Sequence, residues 1–150
     1  MKTKQQTDHV ALNVTTFREE IQTQGRDSSI DITPAVRQAL SKAKISQGTV
    51  TVFVTGSTAG VTTIEYEPGL VEDLQAALRR LFPEHLRYAH HEEAGDDNGF
   101  SHLRAAFIGP SLTIPVVDGN LTLGTWQQIV IIDFDTHARR RPFIVQVMGV

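Results

Sequence analysis

The sequence predicts one α+β domain. Its 150 residues are the length of a single ordinary domain, enough to bury a core without staples. Two stretches opened by proline have helical periodicity and are interleaved with β-branched segments of strand character. The last third is almost entirely strand, joined by a tight turn and not by helices, so its strands pair antiparallel as a meander. A doubly wound parallel sheet would need a crossover helix between each pair of strands.

Each element has its own signal. From Asp8 to Thr16 polar and apolar residues alternate, with Val10, Leu12 and Val14 on one face, which predicts a half-buried strand. Residues 24–30 form a polar turn region. Thr33-Pro34 then starts a helix, with Thr33 as N-cap and Pro34 at the first helical position. Val36, Ala39, Leu40 and Ala43 give it an apolar face, and Gly48 closes the region. TVTVFVT (49–55) is a strand, broken by GSTAG (56–60) and resumed by VTTIEYE (61–67). Pro68-Gly69 opens a second helix, with Leu70, Leu74, Ala77, Leu78 and Leu81 on one face and Pro83 as its stop. A polar loop follows. Ser101 is the expected N-cap of a short helix whose apolar positions are Leu103, Ala106 and Phe107, ended by Gly109-Pro110. SLTIPVV and LTLGTW flank the hairpin turn Asp118-Gly119-Asn120. QQIVIIDFD is a buried strand, and PFIVQVM is a terminal strand reached through the basic turn Arg139-Arg140-Arg141.

Composition excludes several function classes. A net charge of -3, with a single short basic run, gives no basis for a nucleic acid or anionic membrane partner. With no cysteine there is no disulfide, no thiolate nucleophile and no Cys-ligated zinc. The opening residues, MKTKQQTDHVALNV, lack the apolar core expected of a secretory leader and no apolar run reaches membrane-spanning length, so the expected location is cytoplasmic. The sequons at Asn13 and Asn120 carry no weight without a leader.

The residues offer few motifs. GSTAG follows a strand but lacks the Gly-Lys-Ser/Thr ending of a phosphate loop. It reads as a tight turn, or as a small-residue turn whose N–H groups and hydroxyls, Thr58 among them, face an anion. No Gly-x-Ser-x-Gly elbow supports serine hydrolase chemistry. Three of the six histidines, His90, His91 and His102, cluster with Glu92, Glu93, Asp96 and Asp97. By spacing alone this is a solvated acidic loop. As a site, His102 is the best of the three: just after a Ser101 cap, the helix end disfavours imidazolium and favours the neutral ring, which binds metal or accepts protons. N–H groups there, with Arg104 close by, could hold phosphate. Glu65 shares a strand face with Thr63 and Glu67. The single Trp, Trp126, packs in the core or an interface, and Gln127 orients a substrate or satisfies backbone groups.

SLTIPVVDGNLTLGTWQQIV (111–130) closely resembles the signature of the YjbQ-like family, also called the secondary thiamine-phosphate synthase family. GSTAGVTTIEYEPGLVEDL (56–74) and NGFSHLRAAFIGPSL (98–112) resemble two further blocks of it. The resemblance covers about residues 10–149. It implies an α+β domain with an antiparallel, two-sheet, sandwich-like body and two to three short helices, assembled as a homotrimer. It also implies a weak, secondary activity: joining a hydroxymethylpyrimidine pyrophosphate to a thiazole phosphate with release of pyrophosphate. Carried onto this chain, the family's polar cluster becomes His90, His102, Glu65, Asp97, Thr125 and Gln127. The implied site has His102, Glu65 and Asp97 in catalysis, Ser101, Arg104, Thr125, Gln127 and Thr58 on a phosphorylated metabolite, and His90 with His102 on a divalent metal, zinc or magnesium. Gly56 and Phe100 stand where many members carry histidine, so a metal here would depend on His90 and His102 with carboxylate or water. The other expectation is a non-catalytic module that binds or senses a metal or a phosphorylated metabolite.

Overall fold

The computed structural model describes residues 10–150. Two antiparallel sheets face each other; one helix packs against the core between them, and two others cover the outer side of the smaller sheet. The five-stranded sheet has the order β1-β8-β3-β5-β6, from β1 (Asn13–Thr23), β8 (Arg139–Gly149), β3 (Gly48–Val54), β5 (Ser111–Val117) and β6 (Asn120–Leu121). The three-stranded sheet has the order β2-β7-β4, from β2 (Ser28–Asp31), β7 (Gln128–Asp133) and β4 (Ala59–Ile64). The helices are α1 (Thr33–Ala43), α2 (Pro68–Leu81), α3 (Ala89–Ala94) and α4 (Gly99–Ile108). That is one more than expected, because α3 forms inside the polar loop. Among the described residues no helix is long and apolar enough to cross a membrane.

Strand β7 explains the layering. Ile129 and Ile131 point into the space between the sheets, against Val50, Val52, Val145 and Val147 of the facing strands and Val36 and Leu40 of α1. Val130 and Ile132 point the other way, against Leu78 of α2 and Ala105 of α4. A strand buried on both faces has no polar alternation to keep, so its sequence is a continuous apolar run. Gly60 lets α4 lie close on β4: a β-carbon there would stand 2.7 Å from Cγ2 of Ile108.

Several sequence expectations need correction. The first strand is β1, not 8–16; Asp8 and His9 lie outside the described residues, and Val10, Leu12 and Val14 are exposed. Its inward positions are instead Thr15, Phe17, Glu19, Ile21 and Thr23, fixed by eleven residues paired with β8. The last strands are antiparallel but not a meander, since β7 leaves for the second sheet and β8 returns between β1 and β3. Arg139-Arg140-Arg141 begins β8 instead of turning before it. Thr33 does not cap α1: its hydroxyl accepts the Ile129 N–H, and Asp31 accepts the Thr33 N–H. The hairpin turn is as expected, with Asp118 and Gly119 both at positive φ, as its twist requires.

Candidate functional site

Three polar clusters surround the end of the domain where α3 and α4 meet the turn before β4. The first is buried. Arg141 points inward from β8, and its Nε and Nη2 donate to the two carboxylate oxygens of Asp133 at 2.8 and 2.7 Å. Nη2 also donates to Thr58 Oγ1 at 2.6 Å, and Thr58 in turn donates to Asp135 at 3.1 Å. Asp133 further accepts the Thr23 hydroxyl, and Asp135 accepts Arg139. The paired charges tie β1, β7, β8 and the GST turn together, which is how buried charge is tolerated. Burial by itself pushes the Asp135 carboxyl up. The Thr136 N–H, the Arg139 guanidinium and the Thr58 hydroxyl outweigh it and hold the group below the usual carboxylate range.

The second cluster centres on Arg104, which is fully buried. Nη1 donates to Asp27 at 2.8 Å and Nη2 to the Phe82 carbonyl at 2.8 Å, while the guanidinium lies 4.7 Å from the centre of the Phe100 ring. Asp27 also receives Arg79 at 3.2 Å. Burial pushes the Tyr88 phenol up, opposed by the charge of Arg104.

The third cluster is histidine. His90 and His102 meet edge to face with ring centres 4.5 Å apart, and His90 Nε2 lies 3.0 Å from Asp96 Oδ1. His91 Nε2 accepts the N–H of Gly99, the first residue of α4, at 3.0 Å. His102 lines a shallow cavity of about 280 Å³ with Gly56, Ser57, Ala59, Ala105, Ala106 and Pro110. A second cavity, about 340 Å³, lies where β4 faces β5, lined by Thr63, Ser111, Thr113, Thr122 and Gln127 over an aliphatic floor.

The expected site residues are therefore only partly brought together. His90 and His102 are adjacent, and His102 faces a cavity. The carboxylate on His90 is Asp96; Asp97 stays exposed beside it. Glu65 is exposed at the end of β4 and lines neither cavity. Gln127 lies on the other cavity, where its Oε1 accepts the Gly124 N–H and its Nε2 approaches Thr63. Thr125 sits exposed in the same tight turn.

Ser101, Arg104 and Thr58 are turned into the domain. Helix α4 begins three residues earlier than the Ser101 cap predicts, so Ser101 lies inside the helix and donates to the Phe134 carbonyl. The Gly99 N–H is given to His91, and the Arg104 guanidinium is buried against Asp27 and the Phe82 carbonyl. Sequence reasoning missed Asp133, Asp135 and Arg141. Alternation could have found the arginine, since Arg141, Phe143, Val145 and Val147 occupy successive inward positions.

Among the described residues, His90 and His102 are not joined by a third donor that would complete a divalent metal site. His90 Nε2 is paired with Asp96, the two rings meet edge to face, and among the described residues no three His, Asp or Glu side chains gather around one point.

The family model described as UPF0047 protein YjbQ-like matches residues 18–150. A UPF0047 protein of Methanocaldococcus jannaschii is 35% identical over 134 residues, covering 89% of this chain and 94% of that one. One from Mycobacterium tuberculosis is 45% identical over 113 residues, covering 75% and 82%. Among solved structures, a hypothetical protein of Aeropyrum pernix is 34% identical with a TM-score of 0.84, covering 91% of this chain and 99% of its own. A protein of unknown function from Sulfolobus solfataricus, described as YbjQ-like, is 30% identical with a TM-score of 0.83, covering 92% and 100%.

Proposed function

The chain belongs to the YjbQ-like UPF0047 family, and on that premise we propose that it binds a phosphorylated or pyrophosphorylated small molecule in the cavity beside His102. The observation that supports this is the pairing of His102 with His90 at a cavity also lined by Gly56 and Ser57. An imidazole carries two ring nitrogens that can donate or accept hydrogen bonds. With His90 Nε2 on Asp96, the His102 ring is the one that faces the cavity and a ligand. The weak thiamine-phosphate synthase-type transfer is the reaction the family resemblance implies. In it the thiazole nitrogen would bond to the pyrimidine's methylene carbon as the bond from that carbon to the pyrophosphate oxygen breaks, and His102 would give a proton to the leaving pyrophosphate.

The reading is tested with His102→Ala. Its affinity for hydroxymethylpyrimidine pyrophosphate and thiazole phosphate, measured by calorimetry, is expected to fall roughly tenfold or more, as for loss of a hydrogen bond to a charged group. A folded variant with unchanged affinity for both would sink it. A second reading, binding without turnover, is favoured by the distance in the fold between Gln127 and Glu65 and the His102 cavity. Saturable binding with no product separates it from the first. We further propose a threefold assembly of this chain.

A further inference from the structure

Resting on the reading that a phosphorylated ligand enters the His102 cavity, we propose that Arg141 is the residue that grips its phosphoryl group, through Nη1, and that Gly56 is the opening that lets it do so. A guanidinium carries five N–H donors in a fixed fork. In Arg141 the Nε and Nη2 side is used on Asp133 and Thr58. Nη1 donates no hydrogen bond among the described residues. Yet Nη1 is not sealed: among them only Arg104 Nε is both buried and without a partner. The side chain is only 7% exposed, so that small exposed part includes Nη1.

The place where Nη1 emerges is defined by Gly56. A β-carbon on Gly56 would stand 3.0 Å from Nη1, and Gly56 sits at φ +135°, which favours glycine. Any other residue would set its side chain over that nitrogen. Gly56 and its exposed neighbour Ser57 line the cavity that His102 faces. An oxyanion seated over Gly56 would thus have the charged Nη1 on one side, the Ser57 hydroxyl beside it and an imidazole across the cavity. The bidentate hold of Asp133 fixes the plane of the guanidinium, so little side-chain freedom is lost on binding. Asp133 and Asp135 balance Arg139 and Arg141 in charge. Recognition therefore relies on directed N–H bonds and not on a broad positive field, which suits a phosphoryl oxygen. The GST turn holds this arrangement through Thr58, which is where that residue contributes to binding.

The test uses the full chain labelled with nitrogen-15 and titrated with inorganic phosphate, reading the arginine side chains, the histidine rings and the amides together. The expected result is a saturable shift of the Arg141 guanidinium and of the Gly56 and Ser57 amides, while Arg104 stays still. Gly56→Ala is expected to weaken phosphate binding roughly ten- to hundredfold, the range for a hydrogen bond to a charged group. If the alanine strains the turn and unfolds the chain, the wild-type titration decides alone. Shifts confined to His90 and His102 overturn the role of Arg141 and leave the cavity's function standing. No saturable shift anywhere with phosphate also overturns it, and the cavity is then judged by the organic phosphates and His102→Ala. Unchanged binding in a folded Gly56→Ala chain overturns the role of Gly56 as the opening.

Discussion

Arg104 shows how far one side chain's environment can depart from its sequence context. On a short helix of mixed polarity it reads as a solvated or ligand-facing cation. In the fold it is fully buried, while Leu103 and Phe107 on the same helix are exposed. The cause is Asp27, a buried carboxylate at φ +67°, which sits 77 residues away and has no local signal. Loss of one partner from a buried pair leaves the other charged and dry. Asp27→Asn is therefore expected to lower stability by about 3–5 kcal/mol, measured by urea unfolding. A change below about 1 kcal/mol would show that Glu84 or water takes over the partnership with Arg104. Gly56 illustrates the converse, a residue whose value lies in having no side chain at all.

Elements were legible where one buried face set a clean period, and illegible where the partner lies far along the chain. Helix α2 spans the predicted stretch because proline, the cap and the leucine spacing are all local; Glu67 accepts the N–H groups of Gly69 and Leu70. Strand β1 was displaced because its pairing with β8, over a hundred residues later, selects Phe17 and Ile21 for burial and leaves Val10 and Val14 outside. Helix α3 has no local signal of its own, since its support is Tyr88 packed under Gly99 and His91 bonded to it. The ends of β7 and β8 are joined by the charge network, and this gives them a pH dependence. The Asp135 carboxyl is held low in the folded chain, so its stabilisation is complete above the ordinary carboxylate value near 4 and is lost as pH falls through its lower folded value. Stability should thus decline below about pH 4, and Asp135→Asn should flatten part of that decline in denaturation curves taken from pH 6 to pH 2. An identical slope in both proteins would exclude Asp135 as its source.

At the scale of the whole molecule, His102 and Gln127 of the polar cluster named by resemblance line two different cavities, and the apolar surface is unevenly distributed. Trp126 is 69% exposed although its turn is firmly built, with Gln127 bonded to Gly124 and Gln128 to the Thr125 carbonyl. Phe107 is 73% exposed and stacks on Phe82. The outer face of the five-stranded sheet, which no helix covers among the described residues, adds Phe53, Val117 and Met148. A rigid turn that spends its hydrogen bonds on presenting an indole to water is an arrangement suited to insertion into a neighbour, since rigid aromatic side chains dominate interface energetics. The proposed threefold assembly gives these side chains a partner of the same sequence. It predicts a particle with the mass of three 16.6 kDa chains in light scattering at micromolar concentration. Trp126→Ser is expected to shift that particle toward the single-chain mass while the circular dichroism of the fold is kept, because the lost contact lies outside the domain's own core. A single-chain mass for the unaltered protein, or a trimer untouched by Trp126→Ser and Phe107→Ser together, would show that these side chains serve a different surface.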